Sequence, residues 1–167
     1  AGADRLAIPQ DGRLPKVVLA WAPHVRALPM AVPNSFARWS QAAGFPLTVA
    51  HPPGLELDPA VTGPAAVTHD LDEALEGADF IYVKNWSARE PYGRRYDAPD
   101  AAGWRLDLPR LTRLAPRGKV MHCLPVRRGV VLDGAILDSP ASLVLEQAHN
   151  RIWAAQTVLL NQLKHLP

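Results

Sequence analysis

The hydrophobic residues of this chain recur in short, nearly continuous runs that polar and proline-containing segments separate. An apolar run without alternation is typical of a strand that is covered on both faces, as in parallel sheets. The pattern predicts five such strands, at residues 17–22, 47–50, 80–83, 120–124 and 143–145.

Helical patterns lie between and after these runs. Two predicted helices are residues 34–43 and 71–77, and Asp70 with Glu73 three residues later forms a capping box for the second. A last helix, from about residue 146 to 163, carries one apolar stripe at spacings of three and four, which we expect to lie against the sheet. The stripe consists of Ile152, Ala155, Val158, Leu159 and Leu163.

This alternation of strands and helices predicts an α/β fold. We expect an open, mostly parallel, doubly wound sheet of Rossmann-like type, with helices on both faces and the C-terminal helix packed on it. The polar residues 1–15 are interpreted as a connector or an end left by cloning, and residues 16–167 as the folded domain. Residues 87–103 are rich in proline, glycine and charge, which predicts a long loop of the kind that often forms a functional lid.

Composition excludes several classes of protein. The 167 residues are 48% apolar and carry a net charge of +2 from 18 basic and 16 acidic side chains, without the basic stripe that nucleic acids require. The single cysteine cannot form an internal disulfide, and no apolar run or signal-peptide pattern predicts membrane insertion or export. We expect a cytoplasmic protein with no nucleic-acid or membrane partner, no metal site and no cofactor.

The richest chemistry lies at residues 119–128, Lys-Val-Met-His-Cys-Leu-Pro-Val-Arg-Arg, where a predicted strand ends. Open parallel sheets bind ligands at the carboxyl ends of their strands. A thiol can contact an uncharged or amine-bearing group, and a guanidinium suits a phosphate or a carboxylate. The segment therefore predicts a site for an anionic ligand that contains nitrogen.

Three motifs in order resemble the second domain of the transcarbamylases, the aspartate and ornithine carbamoyltransferase superfamily. They are His-Cys-Leu-Pro-Val-Arg-Arg at 122–128, Leu-Asp-Ser-Pro at 137–140 and Glu-Gln-Ala-His-Asn-Arg at 146–151. Further segments resemble the branch that acts on N-succinylornithine or N-acetylornithine. These are Trp-Ala-Pro-His at 21–24, Ala-Val-Pro-Asn-Ser-Phe at 31–36 and Ala-Asp-Phe-Ile-Tyr-Val-Lys-Asn-Trp at 78–86.

The resemblance implies transfer of a carbamoyl group from carbamoyl phosphate to the side-chain amine of an N-acylated ornithine, in arginine biosynthesis. The first-domain motifs of the family, Ser-x-Arg-Thr-Arg and His-Pro-x-Gln, do not occur, and we interpret His-Pro-Pro-Gly at residues 51–54 as a turn. We therefore expect the acylated-ornithine-binding half of a transferase, with the carbamoyl phosphate domain absent. Such a half would be inactive alone, whereas the full-length enzyme of the family is a homotrimer.

The resemblance also assigns residue roles. Cys123 and the backbone of Leu124 would contact the reacting amine and the carbamoyl group, and Arg151 would reach carbamoyl phosphate. Lys84 and Arg127 match positions that bind the acylated ornithine. Attack by an uncharged amine develops negative charge on the carbonyl oxygen and the departing phosphate, so these groups would act by positioning and by donating hydrogen bonds. We expect Cys123, Arg151 and Lys84 to converge on one rim.

Each assignment has a structural alternative. Cys123 could be a small buried hydrophobe, Arg127 and Arg128 a solvated pair of which only Arg127 is expected to face the crevice, and Lys84 a surface residue at a strand end. The tryptophans that we expect to serve packing alone are Trp39, Trp104 and Trp153.

Two other functions stay open. A cysteine phosphatase also has a His-Cys pair at a strand end, but it needs an arginine six residues after the cysteine, where Gly129 stands. A non-catalytic amino-acid-binding or interaction module derived from a transcarbamylase is the second. Among substrates, Val131 stands where the acetylornithine branch has a lysine, which favours a succinylornithine-like protein.

Overall fold

A single five-stranded sheet organises residues 12–164, which are the residues that the computed structural model describes. All strand pairs are parallel, and the strand order is β3-β2-β1-β4-β5. The strands are β1 Val17–Trp21, β2 Leu47–Ala50, β3 Ala66–Thr68, β4 Phe80–Lys84 and β5 Lys119–Met121. The predicted doubly wound, parallel α/β fold is confirmed.

Helices connect the strands and cover the sheet. They are α1 Ala31–Ala42, α2 Pro59–Thr62, α3 Leu71–Leu75, α4 Leu108–Leu114, α5 Gly134–Leu137 and α6 Val144–Lys164, with a 3-10 helix at Pro99–Trp104. Right-handed crossovers in this strand order place α1 and α2 on one face and α3 and α4 on the other. The contacts agree, because α1 packs with α2 and α3 with α4.

The core is the sheet itself. All five residues of β1 are buried, and so are the first four of β4. Because both faces of these central strands are covered, apolar side chains occupy successive positions without alternation. This explains why the central strands could be predicted from continuous apolar runs.

Two strand assignments differ from the prediction. The strand predicted at residues 143–145 is wrong: Ser142 forms only an isolated bridge with Val120, and α6 begins at Val144. The short edge strand β3 was not predicted, because two of its three residues are exposed and its sequence has no apolar run.

The start of α3 confirms half of its predicted capping box. The Asp70 carboxylate accepts hydrogen bonds from the backbone N–H groups of Asp72 and Glu73. Glu73 instead accepts a bond from the Thr68 hydroxyl, which also accepts one from the Asp70 N–H. The threonine therefore takes over the reciprocal part of the box.

The C-terminal helix contacts β5, but the prediction that its apolar stripe lies against the sheet is wrong. Only the first turns of α6 are covered, with Val144 buried, whereas residues 149–164 are exposed throughout. The predicted stripe faces solvent, with Ile152 53% and Leu163 61% exposed. Of the tryptophans expected to serve packing, Trp104 is buried, but Trp39 and Trp153 are exposed.

The predicted connector lies mainly outside the described residues, which begin at Gly12. Its described part is bound to the domain, because the Arg13 guanidinium donates to both carboxylate oxygens of Asp79, at 2.6 and 2.9 Å. The proposed boundary at residue 16 therefore stays a prediction. No helix within residues 12–164 combines the length and apolarity needed to cross a bilayer.

Candidate active site

The strand order reverses between β1 and β4, and their carboxyl ends meet there. In open α/β sheets this switch point forms the ligand crevice. Trp21 of β1 pairs in register with Lys84 of β4, and Tyr82 pairs with Met121 of β5. Continuing the second register by two residues brings Cys123 level with Lys84. Two of the predicted site residues therefore lie on neighbouring strand ends.

His122 is a buried polar residue at this edge, only 3% exposed. Burial, and after it the neighbouring Lys84 and His24, lower its pKa to about 4. Its Nδ1 accepts a hydrogen bond from the Leu124 backbone N–H at 3.0 Å. The imidazole is therefore neutral at pH 7 and carries its proton on Nε2. Sequence reasoning missed this role, although His122 was the one polar residue in an apolar run.

The backbone at Leu124 has an unusual shape. Leu124 has a φ of 51°, in the left-handed region, and precedes a cis peptide bond to Pro125. A left-handed conformation costs a non-glycine residue roughly 1–2 kcal/mol. Because His122 takes the Leu124 N–H, and no bond to the Leu124 carbonyl occurs among residues 12–164, the carbonyl is the backbone group open to a ligand.

The Cys123 thiol is half-buried. Burial raises the pKa of the Tyr82 hydroxyl, and the nearby Cys123 adds to this rise, while Gln147 opposes it. Gln147 lies in the first turns of α6, so that helix begins beside the thiol. Neither Tyr82 nor Gln147 was predicted, because their approach to Cys123 depends on strand register and helix placement.

The two adjacent arginines differ in their surroundings. Arg128 donates to both carboxylate oxygens of Asp138, at 2.7 and 2.8 Å, which secures the chain between β5 and α5. Arg127 is exposed, and its guanidinium has no partner within the described range. The guanidinium of Arg127, the arginine predicted to face the crevice, is therefore accessible to a ligand. Its binding role stays a prediction.

Arg151 lies on α6, four residues after Gln147. Residues four apart share a helix face and are about 6 Å apart along the axis. Arg151 is therefore one turn beyond Gln147, on the same face of the helix. Its exposed guanidinium forms no ion pair with Glu146 or any other described residue. Its part in the predicted rim rests on this helical geometry and stays a prediction.

The predicted long loop lies over the carboxyl end of β1. The ring of Tyr96 meets the Trp21 indole edge-on at 5.5 Å, and Arg95 donates to the Val25 carbonyl at 3.2 Å. The Trp21 N–H in turn donates to the Trp86 carbonyl at 2.8 Å. The loop is therefore anchored on both sides of the crevice, while its predicted function as a lid stays a prediction.

A cavity of about 470 Å³ lies beneath this loop. Its lining includes Leu55, Ala88 and residues 94–98, and contains none of the predicted site residues. The residues predicted to form the site therefore do not line this cavity.

Residues 51–54 form a turn after β2, as predicted. The ring of the buried His51 contacts the Pro52 carbonyl at 2.8 Å, and the Leu55 N–H donates to the same carbonyl at 3.3 Å. Gly54 has a φ of 83°, which a glycine adopts readily. The motif supplies a chain reversal.

Comparisons with known proteins agree with this geometry. Residues 30–161 match the model of the family described as aspartate/ornithine carbamoyltransferase, Asp/Orn binding domain. N-succinylornithine carbamoyltransferase of Bacteroides fragilis (strain 638R) is 44% identical over 155 residues, 92% of this chain and 48% of the relative. N-acetylornithine carbamoyltransferase of Xanthomonas axonopodis pv. citri (strain 306) is 30% identical over 174 residues, 90% of this chain and 48% of the relative.

Solved structures give the same result. A crystal structure of N-acetyl-L-ornithine transcarbamylase is 31% identical and aligns with a TM-score of 0.73, over 83% of this chain and 47% of that one. A structure of acetylornithine transcarbamylase complexed with acetylcitrulline gives a TM-score of 0.74. The chain spans about half the length of the relatives that it matches. It belongs to the aspartate/ornithine carbamoyltransferase family and corresponds to its Asp/Orn-binding domain.

Proposed function

We propose that this chain is the acylated-ornithine-binding half of a carbamoyltransferase. The whole protein would transfer a carbamoyl group from carbamoyl phosphate to the side-chain amine of N-succinylornithine or N-acetylornithine, in arginine biosynthesis. The observation that carries the proposal is the placement of Lys84, neutral His122 and Cys123 together at the ends of β4 and β5. The homotrimer and the cytoplasmic location remain expectations for the whole protein.

The proposed reaction needs positioning and positive charge. The uncharged amine attacks the carbamoyl carbon, a C–N bond forms, the bond from carbon to the phosphate oxygen breaks, and the amine proton leaves with phosphate. Cys123 and the Leu124 carbonyl would orient the amine and the carbamoyl NH₂ group. Arg151 would stabilise the charge that develops on the carbamoyl oxygen and phosphate.

The acyl group of the substrate determines which anionic groups Lys84 and Arg127 would bind. Acylation removes the charge of the α-amine but leaves the α-carboxylate, and a succinyl group adds a second carboxylate. Lys84 at the end of β4 and the exposed Arg127 would donate to these groups. The greater identity to the N-succinylornithine enzyme, 44% against 30%, supports the succinyl group.

A carbamoyl phosphate domain would complete the site. One solved N-acetyl-L-ornithine transcarbamylase mutant is complexed with carbamyl phosphate and N-succinyl-L-norvaline, and it is about twice as long as the aligned region. In the present chain, α6 carries Arg151 and displays an uncovered apolar stripe. We infer that in the whole protein a carbamoyl phosphate domain covers that stripe and thereby approaches Arg151.

The test is a product assay on the complete protein. With carbamoyl phosphate present, N-succinylornithine should give its citrulline derivative faster than N-acetylornithine, and both faster than ornithine. Arg127→Ala should raise KM for N-succinylornithine, whereas Arg128→Ala is the matched control, since Asp138 occupies that guanidinium. Absence of carbamoylated product from every acceptor would refute the proposal.

A second candidate is a non-catalytic amino-acid-binding module, which the match to a family described as an Asp/Orn binding domain also supports. Titration calorimetry distinguishes the two: a module binds N-succinylornithine but yields no product even with a carbamoyl phosphate domain added. The phosphatase alternative loses support, because the Leu124 N–H that would cradle a phosphate is bound to His122.

A further inference from the structure

The cavity of about 470 Å³ under the long loop has both apolar and cationic side chains in its lining. Its volume lies in the range of small-molecule sites, roughly 300–1,000 Å³. Leu55 and Ala88, each 1% exposed, are the buried apolar residues of the lining, and Arg94 and Arg95 are its cations. Such a lining suits an anion that has an aliphatic part.

Hydrogen bonds within this chain hold the loop over the cavity. The Ala88 N–H donates to the Arg94 carbonyl at 3.0 Å, and the Gly93 N–H donates to the Ala88 carbonyl at 3.2 Å. The Ser87 N–H donates to the Leu28 carbonyl at 2.9 Å, which joins the loop to the segment that follows β1. The backbone around the cavity is therefore fixed without a ligand.

The two arginines of the lining differ in their partners. The Arg95 guanidinium donates to the Val25 carbonyl at 3.2 Å and lies 3.8 Å from the carboxylate of Asp97, which also lines the cavity. The Arg94 guanidinium forms no hydrogen bond or ion pair with any residue between 12 and 164. Because Arg95 compensates the one carboxylate of the lining, Arg94 adds a positive charge that is free to bind an anion.

The guanidinium of Arg94 lies over the end of β2. A methyl group added to Gly54, in the turn after that strand, would be 3.9 Å from the Arg94 Nη2 atom. β1 lies between β2 and β4, and neighbouring strands are about 4.8 Å apart. Arg94 is therefore about two strand spacings from the end of β4, which carries Lys84, and about three from the end of β5, which Cys123 follows.

N-succinylornithine carries its functional groups in the same order as these residues. Three methylenes separate its reacting amine from the α-carbon, which bears a carboxylate, and the succinyl group ends in a second carboxylate beyond an amide and two methylenes. With the amine at Cys123 and the α-carboxylate at Lys84, the acyl group extends over β1 towards β2. Its methylenes then meet the apolar residues of the cavity, and its terminal carboxylate meets Arg94. An acetyl group is too short to reach this arginine.

We propose that the cavity under the loop receives the acyl group and that Arg94 binds the terminal carboxylate of a succinyl group, an inference that rests on the proposed function. Lys84 and Arg127 then bind the α-carboxylate. A guanidinium can donate two parallel hydrogen bonds to one carboxylate. Arg94 is thus a specificity-determining residue, because an acetyl group leaves it without a partner.

Binding to the complete protein tests the inference with analogues that cannot react. N-succinyl-L-norvaline and N-acetyl-L-norvaline lack the side-chain amine, and titration calorimetry in the presence of carbamoyl phosphate gives their Kd values. Arg94→Ala should weaken binding of the succinyl analogue about tenfold and change that of the acetyl analogue by less than about twofold. The matched control is Arg89→Ala, which should change neither Kd. That guanidinium belongs to the same loop, but it lies 3.3 Å from the Asp58 carboxylate and does not line the cavity.

Charge reversal separates a direct contact from a change in the loop. N-β-alanyl-L-norvaline has an ammonium group where the succinyl analogue has its terminal carboxylate. Arg94→Glu should bind the ammonium analogue about fivefold more tightly than the unmodified protein does, because the interaction of like charges becomes one of opposite charges. The inference is overturned by equal weakening of the succinyl and acetyl analogues in Arg94→Ala, by no change in either, or by no gain for the ammonium analogue in Arg94→Glu. Failure of the unmodified protein to bind the succinyl analogue also overturns it.

Turnover gives a separate outcome for the proposed function. In the complete protein, Arg94→Ala should lower kcat/KM for N-succinylornithine about tenfold relative to N-acetylornithine, mainly through KM, because the contact is the same before and during the reaction. An unchanged ratio overturns the inference. Absence of carbamoylated product from every acceptor overturns the proposed function, whereas the Kd values still decide whether Arg94 binds the terminal carboxylate.

Discussion

Large apolar residues are buried at the carboxyl edge of the sheet but exposed on the terminal helix. At the edge, Trp21 and Trp86 are each 1% exposed, and each indole N–H donates to a backbone carbonyl. On α6, Trp153 and Leu160 are both 57% exposed. At the edge, the large side chains and their indole N–H groups therefore find all their partners within this chain. A stripe as apolar as that of α6 is typical of a surface that another part of a protein covers.

The largest expected effect is on stability at the edge. Trp86→Ala should lower the free energy of unfolding by about 3–5 kcal/mol, because it removes a fully buried indole and its bond to the Leu55 carbonyl. Trp153→Ala is the matched control and should change stability by less than about 1 kcal/mol. Urea unfolding followed by circular dichroism measures both, and equal losses would contradict the contrast between edge and helix.

Function should separate from stability at the same edge. In the complete protein, Cys123→Ala and Arg151→Ala should each lower kcat/KM about a hundredfold, roughly 2.7 kcal/mol in the transition state, because they remove positioning or charge stabilisation. Unfolding free energies should change by less than about 1 kcal/mol, since one side chain is half-buried and the other exposed. Parallel losses of activity and stability would indicate packing roles.

The buried imidazole gives the edge a pH dependence that the helix lacks. The pKa of His122 is about 4 in the fold and about 6.5 when unfolded, so the unfolded chain binds an additional proton between these values. Stability should fall as pH drops from about 6.5 to about 4, by at most about 3 kcal/mol from this residue. His51, whose pKa burial also lowers, contributes in the same direction.

Unfolding curves at several pH values isolate the His122 contribution. His122→Asn should flatten the acid side of the stability profile but leave the His51 contribution. The control His149→Asn removes an exposed imidazole on α6 and should leave the profile unchanged. An unaltered slope in His122→Asn would show that the imidazole is not held neutral.

The smallest effect is expected on the helix. In this chain, replacing Ile152, Leu159 and Leu163 by Gln should change stability by less than about 0.5 kcal/mol per site, because all three are already more than half exposed. In the complete protein each replacement should cost about 1 kcal/mol or more, because the stripe would be covered there. Equal effects in the two proteins would mean that no domain packs on α6.

The central strands could be predicted from the sequence because a strand that is buried on both faces has a continuous apolar run. Val18, Ile81 and Val120 lie in continuous apolar runs and are fully buried. The exposed edge strand β3 has no such run. Residues 143–145 do have one, although α6 begins there. The helical periodicity predicted α6 but not the surface that packs against it. An apolar stripe indicates only that some surface covers it.

The site divides along a similar line. Cys123, Lys84 and the arginines lie in linear motifs, so they could be proposed from the sequence. The positions of His122, Tyr82 and Gln147 near them depend on register and helix placement, which no linear motif contains. The ion pair of Arg128 could not be predicted either, because its partner Asp138 lies ten residues away across a turn.

The amide of Asn85 donates to the Ala22 carbonyl at 2.7 Å and so joins the tips of β1 and β4 directly behind Lys84. With the Trp21 bond to the Trp86 carbonyl beside it, the spacing between these tips is set when the chain folds. A ligand that binds at these strand ends therefore meets a preorganised spacing, and the entropy of ordering the two ends is already lost. Under the proposed function, this spacing would discriminate by chain length: an acylated diamino acid one methylene shorter or longer than ornithine would hold its reacting nitrogen away from the thiol.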